Sequence, residues 1–261
     1  MTMVISRTPF RVSFFGGGSD YPAWYLREGG AVLSTTIDKY CFLSCRHLQS
    51  FYNTKFRVVW SHIEAVNSVS EILHPAVRAG LRQYGFENGP GLEIQHQGDL
   101  PARSGMGSSS SFAVGLIKAL LALRGQEIDA HSLALKAIDL EQNVLRETVG
   151  SQDQVAAAYG GINVIRFGMN GDITVEPLVL SQAIKSDFAS HLMLFFTGTS
   201  RLASDVARSM VENLVQKEAS VRKMHAFVDQ GAGLLRAGDI HSFGELMHES
   251  WLLKRSLSSQ I

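Results

Sequence analysis

The chain of 261 residues is poor in cysteine and proline, with two and six respectively, and has no excess of either charge. Two thiols cannot make a disulfide framework. Cys41 and Cys45 lie four apart in an apolar run and read as buried thiols. A zinc site would need more ligands than the nearby His47 supplies. The nine histidines form no His-x-His or His-Glu-x-x-His spacing, so none is assigned to catalysis or metal. Lys+Arg and Asp+Glu are both 24, so no sign excess marks a nucleic-acid or anionic-membrane partner, although a local basic pocket remains open. No segment approaches the ~20 apolar residues of a membrane span. The first eleven residues lack the apolar centre of a secretory signal. These absences describe a cytoplasmic protein, monomer or homodimer, with neither nucleic acid nor membrane as partner.

What is abundant is glycine, at 24 residues, clustered at 16–18, around 105 and 107, and at 160–161. The periodicity predicts strands over 4–13, 56–60, 92–97, 162–167, 173–177 and 192–197, and paired strands within 31–46. Helices are predicted over 71–84 (or from Pro75), 108–124 with Gly125 as its stop, 132–147, a segment at 152–159, 202–228 and 240–257. Strands and helices mix without regular βαβ alternation, which favours an α+β class. A boundary is expected near residue 165, dividing 1–165 from 166–261.

Three segments could carry chemistry. In the first, Leu100-Pro-Ala-Arg-Ser-Gly-Met-Gly-Ser-Ser-Ser-Ser111 runs straight into an apolar helix. Gly105 and Gly107 allow a tight turn, and the serines open the helix. That gathers free N–H groups, hydroxyls and the positive helix end at one point, suited to an anion; a serine-rich loop with an ordinary cap is the other reading. No Lys follows the second glycine, so this is not the usual P-loop. In the second, Arg11-Val-Ser-Phe-Phe-Gly-Gly-Gly-Ser-Asp-Tyr-Pro22, a strand enters three glycines. Either the backbone passes close to a ligand such as a sugar ring, or a hairpin turn uses Asp20 as a cap. In the third, Glu141 lies on a helix and Asp153 in the loop that opens the next segment. Two carboxylates in one pocket suit magnesium and proton abstraction; as solvated surface groups they would do neither.

Taken together and in this order, the three segments resemble the GHMP kinases, the family of galactokinase, homoserine kinase, mevalonate kinase and phosphomevalonate kinase. Residues 100–111 are similar to the family's Pro-x-x-x-Gly-Leu-Gly-Ser-Ser-Ala loop, with Met106 in the Leu place. Arg11 and Asp20 are spaced as in its first motif, and Gly150-Ser-Gln-Asp-Gln154 resembles the motif of the catalytic Asp in the sugar-kinase branch. Galactokinase-like chains carry Glu-His where this chain has Gly17 and Gly18, which argues for a roomier sugar site. The family's C-terminal glycine-rich motif is not found. The resemblance implies an N-terminal domain like domain 2 of ribosomal protein S5 and a ferredoxin-like C-terminal domain, of which the sequence carries a part.

The same resemblance implies ATP and Mg2+ as cofactors and a sugar phosphate as the small-molecule partner. The branch it most resembles phosphorylates the anomeric hydroxyl of a heptose 7-phosphate. A fucokinase- or galactokinase-like specificity, or a sugar sensor without turnover, is the alternative. By analogy Asp153 takes the hydroxyl proton, and Arg11 beside it keeps it ionised and neutralises the transferring group. Pro101, Arg103, Ser104, Gly105, Met106, Gly107, Ser108, Ser109 and Ser110 form the nucleotide loop. Ser108 and Glu141 hold the metal. Gly17, Gly18, Ser19 and Asp20 line the sugar. Arg201 is the assigned contact to the substrate's own phosphate, with Arg103, Lys254 and Arg255 as further cations that could serve.

Overall fold

The protein is described by a computed structural model, which covers residues 3–49, 51–102, 104–195, 198 and 217–257. In chain order the first elements are β1 (Met3–Phe15), α1 (Pro22–Glu28), β2 (Gly30–His47), β3 (Phe56–Val59) and β4 (Ile63–Val66). A short 3-10 turn then leads to α2 (Pro75–Gln83), β5 (Leu92–Gly98), α3 (Ser108–Leu123) and α4 (Ala130–Asp139). A π-helical turn (Leu140–Val144) prolongs α4 and precedes α5 (Gln152–Tyr159), β6 (Ile162–Phe167) and β7 (Ile173–Pro177). Three helices close the described chain: α6 (Gln182–Ser190), α7 (Glu218–Ala237) and α8 (Ile240–Leu257). The mixture is α+β, as the pattern of elements predicts.

The described residues belong to two compact units. The first draws on Met1–Phe10, Ile37–Glu147 and Asp153–Tyr159, the second on Arg11–Thr36, Thr148–Gln152 and Gly160–Ile261. A single cut at residue 165 does not separate them, because β1 and β2 each run through both.

In the first unit, the second half of β2 pairs antiparallel with β5, from Cys41 opposite Gly98 to His47 opposite Leu92. β5 pairs parallel with β3, and β3 antiparallel with β4. The core includes Leu43, Phe56, Val77, Leu81, Leu116 and Leu120, each side chain contributing about 1.5–3 kcal/mol by leaving water. Both cysteines are buried free thiols, pushed up to about 12 by desolvation. β5 departs from simple alternation at Glu93, which is 3% exposed. Its neighbours in register are Arg46 on β2 and Arg57 on β3, and both bond its carboxylate. Burial alone would raise its pKa; hydrogen bonds from the two guanidiniums outweigh that and lower it. Gly115 lets α3 approach β1, since a methyl group there would meet Thr8 Oγ1 at 2.7 Å.

In the second unit, the first half of β2 pairs antiparallel with β6, and β6 with β7. Its core gathers Phe14, Phe15, Leu33, Phe188, Phe227 and Phe243. Phe14 meets Phe188 and Phe243 edge-on, both at 5.4 Å between ring centres, the geometry ring quadrupoles prefer.

Three expectations change. Residues 31–46 are one long strand rather than a pair, because nothing between Gly30 and His47 turns the chain. The helix expected over 132–147 loosens into the π-turn and ends at Val144; Arg146 then takes φ +56°. Residues 192–195 form no strand, and Met193, Leu194 and Phe195 are exposed. Residues 202–216 of the predicted helix 202–228 lie outside the described residues. The helix expected from Pro75 begins there, capped by His74 Nδ1, which accepts from the Val77 N–H at 3.5 Å.

Candidate functional site

The first unit holds the phosphate-type loop. Gly105 and Gly107 take left-handed backbone, φ +76° and +74°. A methyl group on Gly105 would meet nothing within 4 Å, so the loop is open at that point. Gly107 caps α3 without a side-chain acceptor, leaving the helix's first N–H groups for another partner. Ser104 Oγ is buried and has no hydrogen-bond partner. Pro101 is exposed. Met106 is half-buried and packs on the core, which anchors the loop between its glycines. Ser108 is half-buried at the helix start. Arg103 lies outside the described residues.

The serines meet Glu141. Ser109 Oγ donates to Glu141 Oε1 at 2.5 Å, Ser110 Oγ to Oε2 at 2.7 Å, and Gln154 Nε2 to Oε2 at 2.5 Å. Glu141 sits in the π-turn, which is 1% exposed at this residue. Such turns widen a helix and are frequent at functional sites. Desolvation pushes its carboxyl up to about 7, against the three neutral donors that pull it down. Asp153 precedes Gln154 in the first turn of α5. The structure therefore joins the loop serines, Glu141 and the segment of Asp153 in one network.

The second unit holds the glycine turn. Asp20 is 1% exposed. Its Oδ1 accepts from the Gly18 N–H at 2.9 Å and its Oδ2 from the Gln152 N–H at 3.4 Å. Its backbone carbonyl accepts from the Ser151 N–H at 3.0 Å. A methyl group on Gly150 would lie 1.9 Å from Asp20 Oδ2, so Gly150 is what admits the carboxylate. Ser19 Oγ bonds the Gly16 and Ala31 carbonyls and accepts from the Ala31 N–H; it locks the turn onto β2. Gly16 and Gly18 have φ +84° and +110°. Gly17 faces three polar side-chain ends: Lys254 Nζ, Gln152 Nε2 and Ser13 Oγ. Arg11 lies on β1 in this unit. Arg201 lies outside the described residues.

Sequence reading missed Gln154 as a carboxylate holder and Ser13 and Gln152 beside the glycine turn. The two glutamines flank Asp153, but nothing in the sequence gives the direction of their side chains.

The residues present fit a nucleotide phosphate with magnesium. The orphaned Ser104 hydroxyl, the open glycine and the uncapped helix start suit an anion. One carboxylate with serine hydroxyls is a hard oxygen set, which magnesium completes with phosphate oxygens and water. Among the described residues, no cluster of three or more His, Cys, Asp or Glu could hold a metal by itself. Nor is any helix among them long and apolar enough to cross a membrane.

Residues 68–161 match the family described as GHMP kinases N terminal domain. Over 99% of its length the chain is 27% identical to a D-glycero-alpha-D-manno-heptose 7-phosphate kinase of Campylobacter jejuni, covering 79% of that protein. Over 95% of its length it is 28% identical to a bifunctional fucokinase/GDP-fucose pyrophosphorylase of Arabidopsis thaliana, of which it spans only 26%. Its backbone superposes on a crystal structure of a D-glycero-D-manno-heptose 1-phosphate kinase from Bacteriodes thetaiotaomicron with TM-score 0.83, at 24% identity, over 97% of this chain and 79% of that one. Residues 68–161 are thus a GHMP kinase N-terminal domain, and the described residues share the fold of the sugar kinase structure on which they superpose.

Proposed function

We propose that the chain is an ATP-dependent sugar kinase that phosphorylates the anomeric hydroxyl of a heptose 7-phosphate. The observation that carries the kinase reading is the Ser109–Glu141–Gln154 network, which couples an open glycine loop to the segment of Asp153. The heptose acceptor is supported by the likeness to the Campylobacter jejuni enzyme along nearly the whole chain. A fucokinase-like acceptor is the second reading, supported by the likeness to the Arabidopsis thaliana protein.

When bound, ATP supplies the phosphoryl group, and magnesium screens the charge that moves with it. Backbone N–H groups of residues 105–110 hold the phosphates, with Ser104 donating its hydroxyl. The Ser108 hydroxyl and the Glu141 carboxylate hold the metal. Asp153 accepts the proton of the attacking hydroxyl, and Arg11 offsets negative charge on the transferring group. Asp20 keeps the glycine turn in shape and leaves its backbone against the sugar.

The test is magnesium-dependent ADP release with heptose 7-phosphate, fucose, galactose, mannose and mevalonate. Turnover confined to heptose 7-phosphate is expected; turnover confined to fucose would select the second reading. Asp153→Asn should lower turnover at least about a hundredfold while calorimetry still records ATP binding. Unchanged turnover would remove Asp153 from the proton transfer.

A further inference from the structure

The glycine turn has a feature that the nucleotide chemistry leaves unused. A methyl group built on Gly17 would lie 3.1 Å from Lys254 Nζ, 3.7 Å from Gln152 Nε2 and 3.9 Å from Ser13 Oγ. Three side-chain ends from β1, the start of α5 and the last turns of α8 thus converge on one small space beside the turn. Each of them is a hydrogen-bond donor, and one is a full positive charge.

The position of Lys254 on α8 makes this more than a surface coincidence. Phe243, Leu246, Met247 and Leu253 pack from that helix into the second unit's core, and Ser250 is 5% exposed. Lys254 follows Ser250 by four residues and Met247 by seven, so it continues this inward-facing stripe at helical spacing. Lysine on such a stripe is uncommon, because its ammonium is costly to remove from water. Trp251 and Leu252, off the stripe, are about half exposed.

We infer that Lys254, with Gln152 and Ser13, forms a subsite that grips an anionic phosphoryl group on the acceptor substrate. The inference rests on the sugar-kinase reading and adds which side chains select a phosphorylated acceptor over the free sugar. Gly17 is then required for space and not for backbone shape. Unlike its two neighbours it is absent from the left-handed residues, and any side chain there would press on the ammonium.

The experiment compares wild type, Lys254→Met, Lys254→Arg and Gly17→Ala on heptose 7-phosphate and on the same heptose without phosphate. Steady-state kinetics and calorimetric titration of both sugars are run in parallel. Lys254→Met should raise KM and Kd for the phosphorylated sugar about tenfold or more, since it removes a charge-assisted hydrogen bond. KM for the unphosphorylated sugar and for ATP should change less than about twofold. Lys254→Arg, which keeps the charge, should recover most of the loss. Gly17→Ala, whose added methyl group would press on the Lys254 ammonium, should raise KM and Kd for the phosphorylated sugar more than for the free sugar.

Equal losses on both sugars, or none, would overturn the subsite. So would a wild-type protein that binds the free sugar as tightly as its phosphate, or binds no sugar phosphate. Absence of turnover in the wild type would sink the kinase reading alone, because the titrations would still report whether Lys254 discriminates for phosphate.

Discussion

Glu141 and Asp20 are buried to the same degree, each 1% exposed, yet different parts of the chain hold them. Side chains hold Glu141: two serine hydroxyls and one carboxamide. Backbone holds Asp20: the N–H groups of Gly18 and Gln152, with Gly150 giving way to its oxygen. A side-chain cage can be altered one residue at a time without disturbing the chain path. A backbone cage depends on glycine, because the donors reach the carboxylate only where no Cβ intervenes. The loop region is therefore adjustable and the glycine turn is nearly rigid in sequence.

The sharpest way to break this comparison is at Gly16. A methyl group there would lie 1.9 Å from the Ala31 carbonyl oxygen, in left-handed backbone. Gly16→Ala should cost about 3 kcal/mol in urea unfolding, from overpacking plus the left-handed penalty. A cost below about 1 kcal/mol would show the turn to be pliable.

At Glu141 the effect should be smaller and depend on the substitute. Glu141→Ala leaves two buried donors, Ser110 Oγ and Gln154 Nε2, short of an acceptor, for about 2–3 kcal/mol. Glu141→Gln keeps the shape and one acceptor, and its loss should be about 1 kcal/mol because hydroxyls rotate. Equal losses in unfolding experiments would mean the donors find other partners. Both variants should weaken magnesium-dependent ATP binding.

Acid should distinguish the units next. His74, between Trp60 and Phe112 in the first unit, is lowered to about 4 by desolvation, from 6.5 in the unfolded chain. Its neutral form is the one that caps α2. The stability it contributes is complete above pH 6.5 and is lost as pH falls from 6.5 toward 4, by about 2 kcal/mol across that window. His96 shifts the same way. Hydrogen exchange in α2 should accelerate over this range, and His74→Gln should flatten the dependence; an unchanged profile would assign the acid response elsewhere. His225 is the desolvated histidine of the second unit, so that unit should respond less.

The smallest effect belongs to Gly105→Ala. Its φ of +76° disfavours alanine, but nothing lies within 4 Å of the added methyl group. A loss of about 1 kcal/mol in thermal unfolding is expected, against the larger cost at Gly16. A loss as large as at Gly16 would mean that the loop is not open.

Much of the architecture was legible because its signals are local. Pro75 fixes a backbone angle and starts α2. Gly107 and Ser108 start α3, and Gly125, at φ +67°, follows its end. β6 and β7 lie at their predicted bounds. The failures have tertiary causes. The helix expected to reach residue 147 gives way to the π-turn where Glu141 needs space for its donors. β2 runs unbroken because it serves both units with different partners along its length. Glu93 reads as an outward strand position, yet arginines of two flanking strands hold it inside.

The candidate site divides along the same line. Residue type and spacing drew attention to the glycine loop, its serines, Glu141, Asp20 and Asp153, because tight turns, helix starts and carboxylates are properties of short segments, and the family resemblance supplied their expected roles. Only the tertiary structure decided that Ser109, Ser110 and Gln154 meet on Glu141, and that Lys254 ends up against Gly17 from the opposite end of the chain. Such pairings are set by how helices and strands pack, and a side chain's partners are not encoded within its own segment.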